Sequence, residues 1–140
     1  MKYKEWRSPS SLHDETVRCI SELKFVDDEI QFLSDLIKEF TVELVSGENF
    51  EESKKITKDL STYEHALKPL VSEIEAHKNN LETLLDDIDI PDEEDEYLIT
   101  HNKLMAEAVA FNLKVRKLKA KIFDLIKGFI KLSKQKRLLK

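Results

Sequence analysis

Residues 97–132 read YLITHNKLMAEAVAFNLKVRKLKAKIFDLIKGFIKL. Within them Tyr97, His101, Leu104, Ala108, Phe111, Val115, Leu118, Ile122, Leu125, Phe129 and Leu132 recur at alternating steps of four and three. That period, close to the helical 3.6, keeps one side of a helix apolar over many turns. Working back along the chain, the same spacing appears twice more. Leu12, Thr16, Cys19, Leu23, Val26, Ile30, Leu33, Ile37, Phe40 and Leu44 form one ladder. Ile56, Leu60, Tyr63, Leu67, Leu70, Ile74, His77, Leu81, Leu84 and Ile88 form the other.

Three ladders predict an all-α chain of three long, coiled-coil-like helices, over about 10–46, 49–88 and 92–138. A seam with a 3.5-residue period drifts slowly around each helix, which favours a left-handed supercoil. Phe25, Phe32 and Leu36 beside the first seam, and Met105, Ile126 and Ile130 beside the third, suit a bundle better than a two-stranded coil. Both turns are short, so neighbouring helices are expected to be antiparallel. The expected architecture is an up-down-up three-helix bundle, with residues 1–140 as a single elongated domain. A helix of about 35 residues would be roughly 50 Å long. The arrangement is generically similar to spectrin-like and other antiparallel three-helix coiled coils, a likeness that concerns fold and does not fix function.

The breaks carry their own signals. Ser8-Pro9-Ser10-Ser11 suits a helix start. Ser46-Gly47 suits a stop, with Gly47 free to take the left-handed conformation. Asn49 with Glu52 resembles a capping box. Pro91 fits a first helical turn, and the acids after it favour a helix N-terminus. Pro69 lies inside the second helix without shifting the ladder, which predicts a kink in one helix. Gly128 either allows a close helix approach or is simply tolerated.

The chain has 140 residues, 36% charged and 41% apolar, with only two Gly and three Pro. This composition leaves little material for loops and matches long helices. No apolar run is long enough to span a membrane. MKYKEWRSPSS has no signal-peptide core, and one cysteine cannot form an internal disulfide. A cytoplasmic protein is expected.

Charge is segregated. Residues 10–46 hold nine acids and three bases, and residues 97–140 hold two acids and twelve bases. Opposite-sign flanks favour pairing of the first and third helices. The basic segment 114–140 also resembles an anion-binding footprint. Against nucleic acid stand the net charge of −5 and phenylalanines that the ladder explains as core.

Thr16, Cys19, His77 and His101 are the polar or semi-polar rungs. Counting across the two turns places them near one level. The simplest expectation is a hydrogen-bonded layer that fixes helix register, or a wet His101 near the bundle end. The alternative is a metal site, with Cys19, His77 and His101 binding zinc or a similar ion and Glu73 orienting His77. No Glu-x-x-His pair, His-Glu-x-x-His motif or glycine-rich loop occurs.

Two terminal features suggest contacts with a partner. Trp6 either caps the core or is presented as an anchor. Arg137, Leu138 and Leu139 either fray or form a docking peptide. The sequence therefore predicts a non-enzymatic adaptor or scaffold that binds a protein partner or itself. A metal- or ligand-binding bundle and a binder of anionic polymers or membrane surfaces are the alternatives.

Overall fold

A computed structural model describes residues 8–86 and 91–139. Trp6, Ile88 and most of the second turn lie outside these residues. Among the described residues the chain is helical except at Ser8, Phe40, residues 47–49 and Leu139, and contains no strand. The described residues form four helices: α1, Pro9–Glu39; α2, Thr41–Ser46; α3, Phe50–Asp86; and α4, Pro91–Leu138.

The start of α1 follows the sequence signal. The Ser11 amide donates to Ser8 Oγ at 3.1 Å and the Leu12 amide to the Ser8 carbonyl at 3.1 Å. Ser8 thus satisfies donors that a helix N-terminus leaves open, and Pro9 occupies the first turn.

The expected helix over 10–46 is broken at Phe40, which leaves the helical region at φ −103°, ψ 22°. Its amide is shared between the carbonyls of Leu36 and Ile37, each at 3.2 Å. The Thr41 hydroxyl donates to the Lys38 carbonyl at 2.8 Å and the Ile37 carbonyl at 3.2 Å. A side-chain hydroxyl that takes backbone carbonyls competes with the helical ladder and bends it. The Leu44 amide still reaches the Phe40 carbonyl at 3.0 Å, and Leu44 stays buried.

Gly47 follows α2 with φ −96° and ψ 171°, so it is extended and not left-handed. The reason for glycine is space: a Cβ there would stand 3.2 Å from the Glu43 carbonyl oxygen. Asn49 serves α3 through its own carbonyl, which accepts the Ser53 amide at 2.8 Å. α3 runs through Pro69 as one helix. At Gly128 a Cβ would meet nothing within 4 Å, so tolerance and not close approach explains it.

The chain packs as two compact units. One consists of the described residues of Met1–Phe25 and Leu67–Phe111, the other of Val26–Ala66 and those of Asn112–Lys140. In the first, Leu12, Thr16, Cys19, Leu23, Leu67, Ile74, His77, Leu81, His101, Leu104 and Ala108 are buried. In the second, Ile30, Leu33, Ile37, Ile56, Leu60, Val115, Leu118, Ile122 and Leu125 are buried. Most ladder rungs are therefore core; Phe40, Tyr63, Leu70, Tyr97 and Phe129 are half-buried, and Leu132 is exposed. Phe25 and Phe32 do not thicken the core as expected. Both point to solvent.

The charge segregation produces less direct pairing than the sequence suggested. Lys119 donates to Glu29 at 3.0 Å across α4 and α1, with both side chains more than a third exposed. Such a pair contributes roughly 0–1 kcal/mol.

Candidate functional site

The polar rungs meet in the first unit. Thr16 comes from α1, His77 from α3 and His101 from α4, and all three are buried. His101 is fully buried, which removes the expectation of a wet residue at a bundle end. His77 Nε2 lies 3.1 Å from His101 Nδ1, with the rings 5.2 Å apart and tilted by 41°. Thr16 Oγ1 lies 3.3 Å from the same Nδ1. The other nitrogen of His101, Nε2, lies 3.1 Å from Glu15 Oε1.

Glu15 is the residue that sequence reasoning missed. It flanks the seam of α1, one position before the polar rung Thr16, and its side chain is about one-third exposed. The acid proposed for this role, Glu73, is exposed on α3. A signal was present: an acid beside a polar rung can reach a buried imidazole on the neighbouring helix, while one turn along the same helix it need not.

The protons can be assigned from the network. A carboxylate faces His101 Nε2, so that nitrogen carries a hydrogen and donates it to Glu15. The Thr16 hydroxyl donates to the Leu12 carbonyl at 2.7 Å, leaving a lone pair towards His101. The hydrogen between the rings then sits on either nitrogen: His77 Nε2–H donates to His101 Nδ1, or His101 Nδ1–H donates to His77 Nε2. Burial first, and the neighbouring His101 second, hold His77 down at about 4 from an ordinary 6.5.

Cys19 is buried on α1 but makes no hydrogen bond to the histidines among the described residues. Burial, reinforced by Glu22 and Glu15, pushes its thiol up to about 11 from 9.0. A protonated thiol is a poor nucleophile and a poor metal ligand. Cys19 is therefore expected to react with a disulfide reagent at least about a hundredfold more slowly in the native protein than in denaturant. Comparable rates in the two states would show that the thiol is neither sealed nor held protonated.

Among the described residues, no group of three or more His, Cys, Asp or Glu side chains is gathered to hold a metal ion. Of the donors read from the sequence, His77 and His101 come together, and their facing nitrogens bond to each other. The Thr16 hydroxyl is engaged, and Thr16, His77 and His101 are all buried, with Glu15 about one-third exposed. What the arrangement can do chemically is hold a proton and specify which helix levels meet.

A second neighbourhood lies in the other unit. Arg137 and Leu138, singled out from the sequence, stand exposed on the last turn of α4, followed by an exposed Leu139. The Leu139 amide still donates to the Gln135 carbonyl at 3.2 Å, so the helical pattern holds to that point. No helix among the described residues is long and apolar enough to cross a membrane. No protein-family model, curated protein or solved structure matches the chain.

Proposed function

We propose that this chain is a non-enzymatic, cytoplasmic helical interaction module, an adaptor or scaffold that binds another protein. Its long helices are read as an antiparallel up-down-up three-helix bundle of coiled-coil type. Contacts within the second unit support that reading. Glu29 meets Lys119, and Phe40 meets Phe129. The partner's number rises with the residue's number, so these segments run parallel, as first and third helices of such a bundle do.

The observation that carries the functional reading is on α1. Phe25 is 73% exposed and Phe32 is 54% exposed, seven residues and about two turns apart on one side of the helix. Phenylalanines offer large apolar area and dominate interface energetics when covered. Neither contributes to the core, so folding does not account for them. The buried polar layer fits the same reading, because a layer that sets helix level fixes how the outer faces are presented.

The test is a double variant, Phe25→Lys with Phe32→Lys. Its melting temperature is expected to stay close to that of the parent chain, since both side chains are largely exposed. Proteins recovered with the parent by affinity purification from its own cells are expected to be lost. Equal recovery by both chains would remove α1 as the binding face and, with it, the main support for an interaction module.

A further inference from the structure

Phe40 and Phe129 stack with centroids 6.3 Å apart and an interplanar angle of 25°. They form the floor of an open cleft of about 790 Å³ in the unit built from Val26–Ala66 and Asn112–Lys140. Phe40, at the junction of α1 and α2, lies in the lining itself. One wall, from α2 and the turn after it, carries Glu43 and Glu48. The opposite wall, from the last turns of α4, carries Lys134, Lys136 and Arg137. None of these five charged groups makes an ion pair among the described residues. Two exposed aliphatic side chains of α4, Ile130 and Leu132, also line it.

A cleft with an apolar floor and walls of opposite sign selects its occupant. A nucleic acid or an anionic lipid surface satisfies the basic wall but is repelled by Glu43 and Glu48. A purely basic segment has the converse difficulty. The matching occupant presents apolar side chains between an acidic edge and a basic edge. This chain carries both edges beside each other. Under a two-fold rotation the basic wall of one copy meets the acidic wall of the other, and the reverse contact forms at the same time. Every favourable ion pair then occurs twice, and Ile130 and Leu132 of both copies are covered together.

We infer that this cleft is the contact through which two copies of the chain associate, with the last turns of α4 in each copy set against α2 of the other. This rests on reading the chain as an interaction module, but it uses neither Phe25 nor Phe32.

The test is the mass of the full chain in solution, by light scattering and sedimentation, at about 50 mM and about 500 mM salt. A concentration-dependent dimer is expected at low salt, with association weakened at high salt. Lys134→Glu/Lys136→Glu/Arg137→Glu and, separately, Glu43→Lys/Glu48→Lys are each expected to be monomeric. An equimolar mixture of the two reversed chains is expected to restore a dimer, because each reversed wall again meets its opposite. Ile130→Gln/Leu132→Gln is expected to weaken association without changing the helical signal, since both side chains are largely exposed. A parent chain that stays monomeric throughout overturns the proposal, as does a dimer that both charge reversals leave intact. A monomeric parent that binds acidic vesicles or RNA through Lys134, Lys136 and Arg137 also overturns it, in favour of an anionic partner. A monomer that still captures its protein through Phe25 and Phe32 overturns the dimer alone and leaves the module reading standing.

Discussion

His101→Ala should lower the free energy of unfolding by about 3–5 kcal/mol, the cost of a buried cavity combined with stranded polar groups. His101 is fully buried and is the hub of its layer, touching Glu15, Thr16 and His77. Its loss leaves His77 Nε2 buried without this partner and takes one contact from the Glu15 carboxylate. The informative comparison is with leucine. His101→Leu fills most of the space yet still strands His77, so a loss of roughly 1–3 kcal/mol remains. His77→Leu should cost less, since His101 keeps Glu15 and Thr16. The double variant His77→Leu/His101→Leu should recover much of the stability, because replacing all partners of a buried polar group by apolar ones is often near neutral. Urea unfolding of the four chains forms a double-mutant cycle. If the double variant loses as much as the two single leucine variants added together, the histidines are not coupled and the network interpretation fails.

Stability should also fall as the pH drops from about 6.5 to about 4. In the unfolded chain His77 takes up a proton near its ordinary 6.5, whereas in the folded protein it does so only near 4. Between those values the unfolded state binds more protons, so acid favours unfolding. Below about 4 both states are protonated at His77 and this contribution is flat. The displacement corresponds to a ceiling of about 3 kcal/mol. Carboxylates ordinarily titrate at the lower end of the same window, so the parent curve alone does not isolate His77. The decisive quantity is the difference between the parent chain and His77→Leu. The variant should lose stability less steeply between pH 6.5 and 4.5. Parallel curves would mean that His77 is protonated equally readily in both states.

The two predictions concern residues whose grouping was partly legible in the sequence. Antiparallel counting across the turns brought Thr16, His77 and His101 to one level, because rise per residue is constant along a helix and the turns are short. Counting fixes levels along an axis but not directions around it. It therefore grouped Cys19 with the histidines and nominated Glu73. The side-chain directions put Glu15 on His101 and left Cys19 without a bond to either imidazole. The break at Phe40 was illegible for a related reason. The apolar rung continues from Phe40 to Leu44, so the ladder shows no fault. The fault lies in hydrogen bonds, where the Thr41 hydroxyl draws on the carbonyls of Ile37 and Lys38.

The sequence by itself determined the helical character of the chain, most of its core residues and the position of its first helix start. Each of these is governed by local chemistry: a repeat near 3.6 residues, and a serine followed by proline at an N-terminus. Tertiary structure decided which polar side chains touch, which phenylalanines are spared from the core, and how Glu43 and Glu48 come to line one cleft with the basic end of α4. Those outcomes depend on the rotation of each helix about its own axis and on small departures from helical geometry. A seam about three residues wide tolerates a range of rotations with little change in apolar burial. Packing of the whole set of side chains selects one of them.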